Sequence, residues 1–240
     1  GLQPLADILV AQKIKEDFLE VAKDFVDKEK GVEKAQDAVN GAKDIVAEMI
    51  SDDAALRKIL RQTLFEKSKL SCVLLEGENS KTYETYAEFS QDVKDLPSHR
   101  ILAINRGEKE KCLKVGVDIS QKITIPVIEK EYLKQNEWTH QIMKDVILDS
   151  YERLLFPSLE RECRTNLTDV ANEQAIKMFE VNLKPLLLQP PLKDHIIMGL
   201  DPAYRTGCKI AIIDKNSEVL ATTVVFPTPN EPFIHIIIIT

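Results

Sequence analysis

Apolar side chains recur at three- and four-residue steps through most of the chain, a spacing that predicts amphipathic helices. Over residues 4–67 the pattern divides into four predicted helices, and Ser51 is the predicted N-cap of the fourth. The helical spacing returns from about Val127 to about Leu188, where Pro157 marks either a kink or the first turn of a new helix. These two stretches predict a chain that is mainly α.

Between the two helical stretches, the spacing changes to that of strands. Lys69–Glu76 has the length and composition of a strand, and Lys111–Ser120 alternates apolar and polar residues. The segment between them holds a short predicted helix, with Ser98 as its N-cap and Gly107 as the residue after its C-terminus. Residues 69–122 are therefore predicted to form a small α+β insert with two strands.

Pro190-Pro191 ends the second helical stretch and marks the predicted boundary between a domain at 1–192 and a domain at 193–240. Three strand-like runs follow, and a polar hairpin joins the second to the third. An isoleucine-rich run at the end predicts a fourth, buried strand. The order strand, aspartate, loop, strand, hairpin, strand is typical of the start of an α/β ribonuclease-H-like sheet. These runs are His195–Leu200, Cys208–Asp214, Val219–Phe226 and Phe233–Thr240.

The composition restricts the classes of function. The chain has 240 residues and a net charge of −7, which argues against a basic nucleic-acid clamp over its whole surface but leaves a local basic face open. Its four cysteines occur singly, without the spacing of a zinc site, and predict reduced thiols in a cytoplasmic protein. The longest apolar run is too short to span a bilayer, so no membrane association is expected.

Four short segments, in order along the chain, resemble one family of proteins. GLQPLAD at the start is similar to that family's GLEPLAD, and GAKDIVAE from Gly41 is similar to its GARDIIAE. PSHR from Pro97, followed by AINRGEKE from Ala103, resembles its PSHR…AxxRGExE, and LDPAYRTGCK from Leu200 resembles its LDPGxRTGCK. On these segments the chain is identified as a member of the bacterial transcription accessory protein Tex family.

The resemblance implies a multidomain parent protein with a helical N-terminal region, a YqgF-type ribonuclease-H-like domain, helix-hairpin-helix elements and an S1 domain. The chain is expected to cover the later part of the N-terminal region and the opening strands of the YqgF domain, without the S1 domain. Two features depart from the family pattern. Ala203 stands where the family has glycine, which disfavours a tight approach of phosphate. Beyond Pro229, an isoleucine run replaces a charged helix.

From the resemblance we expect a non-catalytic scaffold that associates with RNA or single-stranded DNA and with RNA polymerase or other transcription machinery. Neither a cofactor nor a bound metal is expected. The alternative is a metal-dependent nuclease or resolvase of the ribonuclease-H-like kind, which would use Mg²⁺. A third interpretation, an unrelated helical interaction protein, does not account for the four ordered segments. The oligomeric state, the natural nucleic-acid target and the polymerase contacts stay open.

Asp201 is the candidate catalytic residue under the nuclease alternative, because it ends the first strand of the predicted ribonuclease-H-like sheet. Two-metal hydrolysis needs several carboxylates at one spot, and Asp214 is expected at the opposite edge of the sheet. We therefore expect Asp201 to be structural, with Arg205 beside it as a stabilising cation. The backbone of the turn over residues 205–207 is expected to donate further hydrogen bonds to the carboxylate.

Basic side chains are the candidates for nucleic-acid or phosphate contact. His99 and Arg100 stand at the start of the predicted helix of the insert, where the helix dipole favours an anion. The commoner use of such a start is capping by Ser98. The remaining candidates are Arg106, Lys109 and Arg205.

Trp138 is the only tryptophan of the chain. Together with Tyr132 it could stack on a base, as aromatic side chains of single-strand binders do. Since no basic residues interleave with these two aromatics, the sequence favours a role in helix packing.

Overall fold

The chain forms two compact units, Gly1–Phe179 and Glu180–Thr240. The division falls inside a long helix, whereas the sequence places the boundary at 192/193. Among the described residues, no helix combines the length and the apolar composition that crossing a bilayer requires. The computed structural model describes residues 1–77, 80–190, 192–203 and 205–226, together with the backbone of 235–238.

The first unit is a helical body that carries a small sheet, as the mainly α prediction requires. Its helices are α1 (Gln3–Ala11), α2 (Phe18–Ala22), α3 (Ala35–Asp52), α4 (Ala54–Lys67), α5 (Ser98–Lys109), α6 (Gln121–Tyr132), α7 (His140–Asp149) and α8 (Phe156–Leu187), whose residues after Phe179 belong to the second unit. Its strands are β1 (Lys69–Leu74), β2 (Glu88–Asp92) and β3 (Leu113–Asp118).

The core of the helical body consists of the apolar side chains whose spacing predicts its helices. Leu5 and Leu9 of α1 are fully buried, and so are Ile50 of α3 and Ile147 of α7. All four belong to one hydrophobic cluster that reaches Leu159 in the second turn of α8. Burying such a side chain contributes about 1.5–3 kcal/mol, so this cluster accounts for much of the stability of the body.

The junction between α3 and α4 is capped by Asp53. Its Oδ1 accepts hydrogen bonds from the backbone N–H groups of Ala55 (2.8 Å) and Leu56 (3.1 Å), and its Oδ2 accepts one from the Tyr132 hydroxyl (2.7 Å). The predicted cap, Ser51, is wrong because that residue still lies within α3, where it is buried. An N-cap needs extended backbone angles, which Asp53 has.

The sheet of the insert has three strands in the order β2-β1-β3, both pairs antiparallel, where the sequence predicts two strands. The two predicted strands, β1 and β3, are confirmed. The missed strand β2 has the sequence EFSQD, in which Phe89 is the only apolar residue. An edge strand with mostly polar side chains does not show the apolar alternation by which strands are recognised.

The helix of the insert, α5, differs from its prediction at both ends. Ser98 is its first helical residue, and its hydroxyl donates to Gln174 Oε1 (2.6 Å) instead of capping the helix. Gly107 lies inside the helix, and the residue of positive φ is Lys111 (59°). Gly107 is there because its surroundings are tight: a Cβ would lie 2.6 Å from Leu113 Cδ1 and 2.9 Å from Tyr83 Cδ1.

The second helical stretch, predicted as nearly continuous from Val127, is three helices. The prediction begins at Val127, just after Pro126. The structure places Pro126 inside α6, so the stretch begins earlier, at Gln121. A loop over residues 133–139 separates α6 from α7, and a π-helical turn, Ser150–Leu155, joins α7 to α8. Pro157 is the second residue of α8 and follows the π-helical turn without a break in helical backbone, so it does not begin a separate helix.

The second unit contains an antiparallel sheet in the order β4-β5-β6-β7. The three predicted strands and the polar hairpin between β5 and β6 are confirmed, and the isoleucine-rich run contributes the backbone of a fourth strand. Its predicted burial lies outside the described residues. The strands are β4 (Ile197–Asp201), β5 (Cys208–Ile213), β6 (Val219–Val225) and β7 (His235–Ile238).

We expect Gly107→Ala to lower the free energy of unfolding by about 1–3 kcal/mol, because the added methyl overlaps Leu113 and Tyr83. Helix propensity alone predicts the opposite, a gain of about 1 kcal/mol. Urea denaturation measures the change. The control is the same substitution in a Leu113→Ala background. Removing the Leu113 side chain makes room for the added methyl, so the loss of stability should be smaller. A stabilised Gly107→Ala would contradict the overlap.

The Asp53 cap predicts a pH dependence of stability. The Tyr132 hydroxyl and the Leu56 N–H hold the pKa of Asp53 below its usual value. A lowered pKa contributes stability that is present above the usual value of about 3.9 and is lost as the pH falls through the folded-state pKa. Asp53→Ala should therefore lower the free energy of unfolding by about 1–2 kcal/mol at neutral pH and by progressively less in acid. Thermal denaturation as a function of pH measures this.

The matched control for Asp53 is Asp52→Ala, which changes the exposed neighbouring carboxylate at the end of α3. The stability of this variant should differ little from that of the parent chain, and the difference should not follow the pH profile of Asp53→Ala. A difference between Asp53→Ala and the parent that stays constant into acid would show that the cap is not held by its charge.

Candidate functional site

Asp201, the candidate catalytic residue, is the last residue of β4 and pairs with Lys209 at the start of β5. Its side chain is exposed. It lies at a shallow cavity of about 820 Å³ over the sheet, which Leu200, Ile210 and Phe226 also line. The carboxylate therefore stands at an open, mostly apolar sheet surface, and not in an enclosed site.

The loop after Asp201 reaches β5 through Gly207, whose φ of +77° suits glycine. A Cβ at Gly207 would lie 2.5 Å from Val224 Cγ1, so the loop backbone packs tightly on the sheet. Ala203 does not adopt a positive φ, and its methyl is accommodated. Within the described part of the chain, neither an ion pair with Arg205 nor a hydrogen bond from the turn reaches the Asp201 carboxylate, in contrast to the expectation. Both side chains are exposed, and water screens the attraction between exposed charges.

Asp214 has a structural role in the hairpin between β5 and β6. Its Oδ1 accepts hydrogen bonds from the backbone N–H groups of Asn216 and Glu218, both at 2.8 Å. Asp201 pairs with Lys209, five residues before Asp214, and a strand rises about 3.3 Å per residue. The two carboxylates are thus about 16 Å apart along the sheet, as the prediction of opposite edges requires, and cannot share a metal pair about 4 Å wide.

Groups of three or more His, Cys, Asp or Glu side chains that could hold a metal ion are absent from the residues that the structure describes. Two of the thiols, Cys72 and the partly buried Cys163, are also poor nucleophiles. Burial raises the pKa of Cys72 to about 11, and burial together with the charge of Glu160 raises the pKa of Cys163. A thiol attacks as the thiolate, so neither group is activated at neutral pH.

The basic candidates of the insert divide between two faces of α5. His99, Arg106 and Lys109 are exposed and, at steps of seven and three residues, lie on one side of the helix; we call this the basic face of α5. Arg100 points elsewhere. Its Nη1 donates to Gln91 Oε1 on β2 (2.7 Å), and its guanidinium lies 5.8 Å from the centre of the Phe89 ring. The structure therefore places three of these four residues together and directs Arg100 toward β2.

The orientation of α5 is set by polar contacts with α8. Glu108 accepts a bidentate pair of hydrogen bonds from the Arg164 guanidinium, and this contact raises the pKa of Arg164. One turn further along α8, Thr168 Oγ1 accepts from Asn105 Nδ2 (2.9 Å), and Gln174 accepts from the Ser98 hydroxyl as described above. These bonds fix the side of α5 that faces α8, and the basic face next to them stays exposed to solvent.

Of the two aromatics in the stacking hypothesis, Tyr132 packs against the helical core, as the sequence favours, and Trp138 does not. Trp138 lies in the loop before α7, 42% exposed, so its expected role in helix packing is wrong. It follows Asn136, whose Oδ1 accepts from the Trp138 backbone N–H (3.0 Å) and whose amide donates to Ile14 O (2.9 Å). Tyr132 is committed to Asp53, and burial raises its pKa strongly. The two rings therefore do not form a platform for bases.

One surface that the sequence does not indicate is a groove of about 690 Å³ between α4, the segment before α5, and α8; we call it the α4–α8 groove. Its walls come from residues about a hundred positions apart, which only folding brings together. The periodicity of α4 gives one signal for it, because Phe65 stands outside the buried stripe of that helix. The lining residues are Lys58, Arg61, Gln62, Phe65, Val93, Lys94, Leu96, Pro97, Ser98, Ile101, Cys163, Asn166, Leu167, Val170 and Gln174.

Comparison with protein families gives matches over both units. A family model described as "Tex central region-like" matches residues 14–179, and a second, described as "Tex protein YqgF-like domain", matches residues 195–235. The first description differs from the sequence assignment, which places the same residues in the later part of an N-terminal region.

Individual relatives agree with the family matches. The chain is 38% identical over 231 residues to "Uncharacterized protein YdcI" of Bacillus subtilis, a match that covers 95% of this chain and 32% of that protein. It is 31% identical to "Transcriptional accessory protein Tex" of Neisseria gonorrhoeae, with 94% and 30% covered. It is 35% identical to human "S1 RNA-binding domain-containing protein 1", with 82% and 21% covered. The chain thus spans a third or less of the length of these relatives.

Proposed function

This chain belongs to the Tex family, and on that basis we propose that it acts as a non-catalytic, nucleic-acid-associated scaffold within a transcription accessory factor. The observation that carries the proposal is the match of both units to Tex models in the family order, with relatives named for transcription and for an S1 RNA-binding domain. The relatives are about three times as long or longer, so the activity of a whole Tex protein is part of the proposal.

The basic face of α5 is the proposed contact for RNA or single-stranded DNA. Helix α5, held by α8, presents His99, Arg106 and Lys109 to solvent, and no ion pair engages them among the described residues. Backbone phosphates are attracted by the Arg106 and Lys109 cations regardless of base sequence. With few cations and an overall charge of −7, binding by the chain should be weak and non-specific.

The proposed partners and location follow the same reasoning. RNA polymerase or another component of the transcription machinery is the proposed protein partner, since a scaffold of this family would act beside a transcript. A cytoplasmic location is supported by the four cysteines, all of which are free thiols. Thiols persist in reducing compartments.

A metal-dependent nuclease is the second candidate, and Asp201 at the end of β4 is the observation that favours it. In ribonuclease-H-like enzymes such a carboxylate would bind Mg²⁺ beside further carboxylates. The separation of Asp201 from Asp214 and the structural role of Asp214 support the non-catalytic proposal instead.

We expect the chain to bind a single-stranded RNA of about 20 nucleotides with a dissociation constant of about 10–100 µM, whatever the sequence. Affinity should fall steeply with salt. Replacing Arg106 and Lys109 by alanine should weaken binding and reduce the slope of log K against log salt by about 0.7 for each lost phosphate contact. Fluorescence anisotropy across a salt series measures both quantities.

The matched control replaces Lys122 and Lys144, two exposed lysines on α6 and α7, by alanine. This variant has the same change in net charge but keeps the basic face of α5. If it loses as much affinity and slope as the α5 variant, the contact is not at α5. Tight, salt-insensitive binding to one sequence would contradict the proposal as a whole.

Asp201→Asn discriminates between the two candidate functions. We expect it to change the free energy of unfolding by less than about 0.5 kcal/mol, since the side chain is exposed and has no partner among the described residues. With Mg²⁺ or Mn²⁺, neither form should cleave single strands, duplexes or four-way junctions. Metal-dependent cleavage by the parent chain that disappears in Asp201→Asn would establish the nuclease and overturn the non-catalytic proposal.

A further inference from the structure

The α4–α8 groove has an apolar floor that no described part of the chain covers. Phe65 of α4 and Val170 of α8 both line this cavity, and each is 52% exposed. Between them, Ile101, Cys163 and Leu167 form the bottom. Contiguous exposed apolar surface of this kind marks sites where a partner binds.

The rim of the groove is cationic. Lys58 and Arg61 come from α4, and Lys94 comes from the segment before α5. Arg61 is partly neutralised by Glu162 (2.7 Å), whereas no ion pair engages Lys58 or Lys94 within the described residues. None of the described lining residues is Asp or Glu, in a chain whose net charge is −7. The groove therefore has a local charge opposite to that of the whole chain.

The walls of the groove are held before any partner arrives. Arg57 Nη2 donates to Ser158 Oγ (2.8 Å), which together with the Arg61–Glu162 pair fixes α8 to α4. The bond from Ser98 to Gln174 fixes α8 to the start of α5. A preformed groove loses little conformational entropy when it binds.

From these features we propose that the α4–α8 groove binds an acidic amphipathic helix of a partner protein. A helix of this type places apolar side chains at three- and four-residue steps into such a groove and leaves its polar side chains at the rim. Its carboxylates would meet Lys58 and Lys94, and its apolar residues would cover Phe65 and Val170. The volume of about 690 Å³ is enough for several anchoring side chains.

The same features disfavour nucleic acid as the occupant. Bases bind single-strand proteins by stacking on aromatic rings, and Phe65 is the one aromatic among the described lining residues. The rest of the floor is aliphatic. The residues of the basic face of α5 do not line the groove, so the peptide site and the proposed RNA contact are separate and can be tested independently.

The test uses the 240-residue chain and a fluorescein-labelled peptide of about 18 residues, with leucine at three- and four-residue steps and glutamate and alanine elsewhere. A matched peptide carries lysine in place of glutamate. Fluorescence anisotropy should show binding of the glutamate peptide and at least about tenfold weaker binding of the lysine peptide, because only the first complements the rim. Absence of binding by the glutamate peptide, or equal binding of both peptides, would overturn the proposal.

Variants locate the site. Phe65→Ala should weaken the glutamate peptide about tenfold, as the loss of an aromatic anchor does, whereas Ile59→Ala, an exposed apolar change on the same helix outside the groove, should not. The double variant Lys58→Glu/Lys94→Glu should weaken binding of the glutamate peptide by a similar factor, whereas Lys122→Glu should change this binding little. All of these positions are exposed, and thermal denaturation checks that each variant folds. Groove variants that bind like their controls would place the peptide elsewhere.

A competition experiment separates this proposal from nucleic-acid binding. A single-stranded RNA of about 20 nucleotides should not displace the glutamate peptide, because its contacts are expected on the basic face of α5. Displacement that is lost in Lys58→Glu would assign the groove to nucleic acid and overturn the peptide proposal, while leaving the family's proposed nucleic-acid association in place. Conversely, loss of RNA binding in the α5 variant with peptide binding retained would support two separate sites.

Discussion

The first unit depends on a single helix, α8, that must complete two hydrophobic cores at once. Leu155, just before it, and Leu159 belong to the core of the helical body, whereas Cys163 and Leu167 pack against the sheet of the insert. Four-residue steps keep these side chains on one side of the helix, so a straight rod can serve both cores in succession. The π-helical turn at Ser150–Leu155 sets the angular position from which this stripe begins.

Polar contacts beside the apolar stripe of α8 determine where the insert sits. Glu160 accepts from the Val117 backbone N–H (2.9 Å), Arg164 binds Glu108, and Glu162 binds Arg61 on the other side. The half-buried Arg164 pair is worth more than an exposed one because it is less screened by water. The position of these contacts leaves one face of α5 exposed and one groove open beside α4, which are the two surfaces for which we propose partners.

The second unit is governed by strand pairing. Antiparallel pairing of β4 with β5 puts the end of one strand beside the start of the next. Asp201 therefore pairs with Lys209, while Asp214 lies just beyond the other end of β5. Asp214 is then used to close a tight hairpin in which Ser217 has a φ of 68°. Two carboxylates close in sequence are in this way kept apart, whereas a shared metal site would need them together.

The sequence alone was sufficient for the mainly helical body, for strands β1, β3, β4, β5 and β6, and for the Tex resemblance, because periodicity and local motifs are properties of neighbouring residues. It was not sufficient for β2, whose polar edge position carries no alternation, for the cap at Asp53 or for the reason behind Gly107, which is the proximity of Leu113 and Tyr83. The basic face of α5 and the α4–α8 groove were decided by tertiary structure. Both depend on contacts between α8 and residues about sixty to a hundred positions earlier, and no local pattern records which side of a helix such contacts will cover.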